Sequence, residues 1–351
     1  MKLELTEYLI LFVASLAIVG LLTPLVRKIA TALDVVDRPS ESHKTHKKPI
    51  PYLGGVGIII GVVIITYGAI AIEGSFSAFA LANTLLIPAI ILGLVGLVDD
   101  IKKLAPLPRF IAQNIVALVI AAILIATNTL GSPSGNIFLD LLITVLWIVG
   151  ITNSINFFDN VDGGASGTIA ISSIFLFYLA FQGGQFLIAA LAAVLGGATI
   201  GFLLWNRPPA RIYMGDAGAL FLGLLIGTLL IRFNPNPINL VASFAIPVLI
   251  LAIPILDTSV AVISRLKRGI SPFQGGQDHL SHRLMRAGLE KRQAVLCLWL
   301  MSIYFCFIAI VIANTPHNLE LLVTGFSFLN WLVLLYLFLR TKDSKLSLIH
   351  I

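Results

Sequence analysis

The chain has 351 residues, of which 58% are hydrophobic and 11% charged, with a formal net charge of +6 and a mean hydropathy of +0.99. A soluble globular protein carries about 25% charged residues, so this composition excludes one and specifies a multi-span membrane protein. An isoelectric point near 9.4 would suit a nucleic-acid binder, but the basic residues stand in short loops between apolar runs, where membrane topology accounts for them.

Apolar runs fall at 8–26, 53–72, 81–98, 110–127, 137–152, 168–182, 186–204, 217–231, 240–263, 294–313 and 319–339. Each is close to the ~20 residues a helix needs to cross a bilayer. The fold expected is all-α and polytopic, with about eleven transmembrane helices, or ten if one run fails to cross. Runs 137–152 and 168–182 are the shortest and could be tilted or re-entrant. The first run is followed by more of the same, so it reads as a span rather than a cleaved leader. Cys297 and Cys306 share one predicted helix; nine residues at ~1.5 Å rise separate them too far for a disulfide within it.

The positive charges orient the spans. Twenty-one of the 23 Lys and Arg residues fall in the loops on one side, leaving Lys2 and Arg232 on the other. That bias predicts a cytoplasmic location for the basic side, with the N-terminus outside and the C-terminus in the cytoplasm of a bacterial inner membrane. Nearly all polar chemistry shares the basic side, which points to a reaction surface. A transporter or flippase should instead place polar groups at mid-membrane and on both faces. No internal repeat stands out, and 1–351 reads as one membrane-embedded domain. Its largest soluble piece, 264–293, is too short for a core of its own.

The motifs follow in chain order. The first inward loop carries His43, Lys44, His46, Lys47 and Lys48, then Pro49-Ile50-Pro51 and Gly54-Gly55. It reads as a basic flap over a phosphorylated ligand, or as simple topological anchoring. Asp99-Asp100 closes an apolar helix, with Lys102, Lys103 and Arg109 behind it. Adjacent carboxylates at a membrane surface repel and lose hydration; a cation or metal would relieve both costs.

Asn153, Asn156, Asp159 and Asp162 recur every third residue ahead of Gly163-Gly164. Neighbours three apart on a helical end can touch, but the first and last of the four cannot share one ion. The run offers hard oxygens for a cation, then a glycine turn that lets a ligand approach the backbone. An ordinary polar loop between two helices is the plainer alternative.

Asp216 opens another apolar helix between Gly215 and Gly218, three residues after Tyr213, and would also serve as a helix cap. Asn206 and Arg207 end the helix before it. Asp257 lies inside the ninth run, where it is either catalytic or paired with a cation of a neighbouring span. His279 and His282, one turn apart beside Arg283 and Arg286, suit contact with phosphate better than zinc, since no Cys and no His-Glu-x-x-His accompanies them. No P-loop and no Gly-x-Ser-x-Gly elbow is present.

Four blocks together, His43 to Gly55, Asp99 to Gln113, Asn153 to Ala165 and Tyr213 to Asp216, resemble the polyprenyl-phosphate N-acetylhexosamine-1-phosphate transferases. That family also includes the phospho-MurNAc-pentapeptide translocase. The resemblance implies transfer of N-acetylhexosamine-1-phosphate, GlcNAc-1-phosphate first among the candidates, from a UDP-sugar to polyprenyl phosphate, with release of UMP. The implied cofactor is Mg2+, or Mn2+ in its place. The implied partners are the UDP-N-acetylhexosamine and the membrane lipid, with no nucleic acid; a homodimer is compatible.

By the same resemblance Asp216 and Asn156 sit next to the metal, and Asp159 is a further active-site carboxylate. Asp99 and Asp100 organise the lipid phosphate, with a direct base role the weaker option. Lys47 or Lys48, Lys103 and Arg109 contact pyrophosphate. Asp162 and Gly163 lie at the uracil, Tyr213 stacks on it and Asn206 lies near the uridine. Read from the residues themselves, Asn153 and Arg283 also bind substrate, and His279 and His282 act at the phosphates. Two departures stand out. Arg109 replaces the usual lysine, which keeps the charge but changes the fork. Ser281 interrupts the His-Leu-His-His expected of GlcNAc-1-phosphate transferases, and the translocase's three consecutive histidines are absent.

Overall fold

A computed structural model describes residues 3–38, 49–127, 136–235, 239–272 and 275–341. Lys47, Lys48 and His43 lie outside these residues. The described chain runs α1 (Leu5–Ala32), a two-stranded antiparallel ribbon β1 (Val36–Asp37) and β2 (Ile50–Pro51), α2 (Gly54–Glu73), α3 (Phe76–Lys102), α4 (Pro106–Ala126), α5 (Ile137–Phe158), α6 (Gly164–Gln182) and α7 (Phe186–Asn206). It continues with α8 (Gly215–Arg232), α9 (Leu240–Ile250), α10 (Ala252–Lys267), the short α11 (Leu280–Arg286), α12 (Lys291–Asn314) and α13 (Glu320–Arg340). Ten of these helices are long and apolar enough to cross a membrane. The short runs at 137–152 and 168–182 belong to helices of 22 and 19 residues.

The run at 240–263 is not one straight helix. It breaks at Leu251, and α9 and α10 meet at 79°. Pro254 has no N–H to return to the carbonyl of Ile250, four residues back. That carbonyl instead accepts the Ser172 hydroxyl at 2.8 Å and the Cys306 thiol at 3.6 Å. Backbone freed at a break must be satisfied by neighbouring helices at membrane depth, and here it is.

Helix α8 is the central post. Every residue from Ala217 to Leu230 is buried, as expected of a helix apolar on all sides. It packs against α2, α3 and α5, and close approach needs glycine. A Cβ on Gly55 would lie 2.1 Å from the Gly218 nitrogen, and one on Gly96 would lie 2.4 Å from the Asp216 carbonyl oxygen. The first loop's Pro51 and Gly54-Gly55 therefore have a structural purpose. Tyr213 donates its N–H to the Pro51 carbonyl at 2.8 Å, Gly54 to Tyr213 at 3.0 Å, and Gly55 to Met214 at 2.8 Å. These bonds stitch the ribbon to the turn that starts α8.

Candidate functional site

At one end of the bundle α3, α5, α7 and α10 finish and α4, α6, α8 and α12 begin. The polar motifs, which lie at those junctions, line one cavity of about 620 Å³. Asp99, Asp100, Lys103, Arg109, Asn156, Asp159, Asp162, Asn206, Tyr213, Asp216, His279 and His282 all reach its wall.

Asp216 heads α8 in the first turn. Its Oδ1 accepts an N–H from Asn156 on the last turn of α5 at 2.8 Å. Its Oδ2 meets Arg109, whose same Nη1 donates to Asp99 Oδ2 at 2.6 Å. One guanidinium thus bridges the carboxylates of α3 and α8. Asp99 also takes the Leu104 N–H at 2.5 Å. Asp159 caps the C-terminus of α5 and faces three carboxylates. Burial, then the charges of Asp216, Asp100 and Asp162, push its carboxyl well above the usual carboxylate range.

Asp100 has a different role from its neighbour. Its two oxygens accept the backbone N–H groups of Asp216 at 2.8 Å and Ala217 at 3.1 Å. The cap of α8 is therefore supplied from α3, not by Asp216 itself. Gly215 makes room: it has φ +73°, and a Cβ there would sit 2.5 Å from Asp100 Oδ2. Asp100 holds Asp216 in place and also lines the cavity.

Four residues expected at the substrate have hydrogen-bond partners within the protein. Asn206 is 1% exposed, and its Oδ1 accepts from Gly163 N–H and the Ser166 hydroxyl, each at 2.9 Å, while its Nδ2 donates to the Ile212 carbonyl at 3.0 Å. Its polar atoms bracket α6, α7 and the turn before α8. Gly163 does not line the cavity; its carbonyl accepts the Trp299 indole N–H at 3.1 Å. Arg283 is 1% exposed, with its guanidinium spent on the carbonyls of Asp278, Phe338 and Thr341 and on the Ser264 hydroxyl, so it ties α11 to α13. Asn153 donates to Gln113 at 2.5 Å and to the Val149 carbonyl at 2.8 Å, facing an apolar groove beside the cavity.

Asp162 lines the cavity with both oxygens engaged: Oδ2 by the Ala210 N–H at 2.9 Å and Oδ1 by Lys291 at 2.8 Å. Tyr213 and Tyr52 stand with ring centroids 5.9 Å apart, tilted by 50°. Burial raises both hydroxyl pKa values, with the charge of Asp37 next for Tyr52 and that of Asp162 for Tyr213. Burial, then the neighbouring His279, pushes His282 down to about 4, so it is a neutral ring at pH 7. Among the described residues Asp257 makes no ion pair with a Lys or Arg of a neighbouring span; its Oδ2 lies 2.7 Å from His279 Nδ1.

Asp37, Tyr52, Arg265 and Lys291 are among the lining residues that escaped the sequence reading. Tyr52 closes the run of prolines and precedes the glycine pair, which was the one available signal. Arg265 and Lys291 read only as topology charges.

Comparison with known proteins agrees with this architecture. Residues 82–234 match Glycosyl transferase family 4. The chain is 36% identical over 317 residues to a "Probable undecaprenyl-phosphate N-acetylglucosaminyl 1-phosphate transferase" of Bacillus subtilis, covering 89% of this chain and 87% of that one. It is 32% identical over 306 residues to a "Decaprenyl-phosphate N-acetylglucosaminephosphotransferase" of Mycolicibacterium smegmatis, covering 78% and 74%. A "Phospho-N-acetylmuramoyl-pentapeptide-transferase" of Staphylococcus carnosus is 25% identical over 314 residues, covering 84% and 94%. Similarity of this extent, over a fold that gathers the family's motifs at one end of the helices, makes the chain a member of glycosyl transferase family 4.

Proposed function

We propose that this chain transfers N-acetylhexosamine-1-phosphate, GlcNAc-1-phosphate first among the candidates, from a UDP-sugar to a polyprenyl phosphate, releasing UMP. The reaction would be the first membrane step of a cell-envelope polysaccharide, at the cytoplasmic face of a bacterial membrane. One observation carries the reading: Asp99, Asp100, Asn156, Asp159 and Asp216, from three helices, line one cavity that adjoins an apolar groove. The groove, of about 580 Å³, runs along Phe110, Trp147, Asn153, Val248 and Ile255, and Phe157 lines both spaces. A polyprenyl tail in the groove would bring its phosphate to the carboxylate wall.

The donor set suits magnesium, or manganese in its place. Mg2+ takes one or two protein carboxylates and fills its sphere with substrate phosphates and water. Among the described residues no three His, Cys, Asp or Glu side chains converge on one point, so the protein forms no closed cage. Asp216 would hold the ion, with Asn156 beside it. When bound, such an ion neutralises and polarises a pyrophosphate.

The rest follows from the side chains. A phosphate monoester has a second pKa of about 6, so the lipid phosphate is mostly ionised at pH 7 and needs little general base. Arg109 and Lys103 supply positive charge where the pyrophosphate would lie. Arg109 is anchored between Asp99 and Asp216, so its guanidinium is oriented before substrate arrives. In-line positioning then carries most of the catalysis.

The transporter reading needs a polar path through mid-membrane. Its main candidate, Asp257, is fully buried, with its carboxylate taken by His279 and the Leu280 N–H. The test is to incubate purified protein with polyprenyl phosphate, Mg2+ and a panel of UDP-sugars and to measure UMP. Release that requires both lipid and a UDP-N-acetylhexosamine is expected; no release with any donor would overturn the reading.

A further inference from the structure

Asp257 stands inside α10 with no exposed surface, and both of its oxygens are occupied. Oδ2 lies 2.7 Å from His279 Nδ1, and Oδ1 accepts the Leu280 backbone N–H at 2.7 Å. Asn160 Nδ2 adds a longer contact at 3.4 Å. On the far side of the imidazole, Nε2 faces the Arg265 Nη2 at 3.2 Å. A guanidinium can only donate. Nε2 therefore carries a lone pair, and the ring proton sits on Nδ1, where the carboxylate accepts it.

Arg265 is clamped further by Nε to Asp278 Oδ2 at 3.1 Å and by Nη1 to the Pro272 carbonyl at 2.7 Å. Its carbon lies 5.6 Å from the centroid of the Phe157 ring. Three of its five N–H groups are thus used, and Arg265, 3% exposed, is among the residues that line the cavity with His279.

We propose that Asp257 is a positioning residue of the transfer reaction. It never meets substrate; it fixes the His279 tautomer that orients Arg265, and so sets the cationic wall that receives the sugar phosphate. The inference rests on the transfer reaction proposed above.

A carboxylate suits the task because it accepts two N–H groups at once. A carboxamide accepts at one end and donates at the other. In Asp257→Asn the NH2 end must face either Leu280 N–H or His279 Nδ1. The first opposes two donors at the start of α11. The second turns the ring to the Nε2–H tautomer and aims its proton at Arg265. Either outcome displaces the wall.

The test pairs 15N NMR of histidine-labelled resting protein with UMP-release kinetics. His279→Asn identifies the His279 signals; its NH2 keeps the bond to Asp257 but offers Arg265 no ring acceptor. Wild type should show Nδ1 protonated and Nε2 bare, and D257N should lose that pattern. D257N should lower kcat at least tenfold with the KM for polyprenyl phosphate unchanged. H279N should match that loss, and the double variant should be no worse than either. Full turnover in D257N, losses that multiply in the double variant, or an Nε2-protonated ring in wild type would each overturn the proposal. If D257N does not yield folded protein, H279N with wild-type turnover overturns it. Absence of UMP release by wild type with every donor would sink the transfer reaction and the positioning role together, yet leave the tautomer assignment intact.

Discussion

Asn156 donates a side-chain N–H to Oδ1 of Asp216 at 2.8 Å, joining the end of α5 to the start of α8. The other oxygen of Asp216 goes to Arg109, so the carboxylate is steered from both sides. Asn156→Ala removes one of the two guides. Loss of such a supporting partner costs about 10–100-fold in metal affinity or activity. The variant should therefore need more Mg2+ for half-maximal UMP release, at unchanged folding. Asp216→Ala should abolish turnover even in excess Mg2+; near-normal activity would refute its place at the metal.

The glycine contacts around α8 give a stability prediction. Gly96→Ala would put a methyl group 2.4 Å from the Asp216 carbonyl, which is backbone and cannot swing aside. Overpacking of this kind costs about 1–3 kcal/mol. The melting temperature in detergent should fall, and activity with it, because the group displaced carries the carboxylate proposed to hold the metal. Gly68→Ala in α2 is the control: nothing lies within 4 Å of its added methyl. Its melting temperature should hold or rise, since alanine is the better helix former.

The spans were legible because bilayer-crossing helices must satisfy their own backbone and cover it with apolar side chains. The break at Leu251 was not, since 240–263 is one unbroken apolar run and a proline alone does not end a membrane helix. Pro254 leaves the Ile250 carbonyl free, and the pair Ser172 and Cys306, from α6 and α12, takes it. The carboxylates were legible as motifs for a similar local reason: each stands at or next to a helix end, and Asp162 and Asp216 adjoin a glycine. Their division of labour was not. Asp99 and Asp100 are neighbours in sequence, but only the fold turns one toward Arg109 and the other into a cap for α8. Arg283 read as a phosphate ligand from its basic surroundings, whereas Phe338 and Thr341, far along the chain, take its hydrogen bonds.

Tyr213 offers a test of how the nucleotide is held. Its backbone stays docked to Pro51 and Gly54 whatever its side chain, so Tyr213→Ala removes the ring without releasing the turn. Base–aromatic stacking is worth about 1–3 kcal/mol per base, or roughly 5–150-fold in binding. The KM for the UDP-sugar should rise by an amount in that range, and that for the polyprenyl phosphate much less. Tyr213→Phe should stay close to wild type. A larger effect on the lipid than on the nucleotide would count against stacking.

Asp159 links activity to pH and stability. Burial and three nearby carboxylates raise its pKa in the folded protein above the unfolded value. The sign follows: folding favours the protonated form, so the ionised carboxylate is a cost that grows as pH rises through the folded pKa. Asp159→Asn removes that cost. In EDTA, where no ion offsets the repulsion, the variant should melt higher than wild type at pH 8. The gap should narrow as pH falls, because wild type then takes up the proton that relieves it. UMP release by the same variant should drop by orders of magnitude at every pH. A variant less stable than wild type at pH 8 would show that the carboxylate is held by attraction in the resting protein.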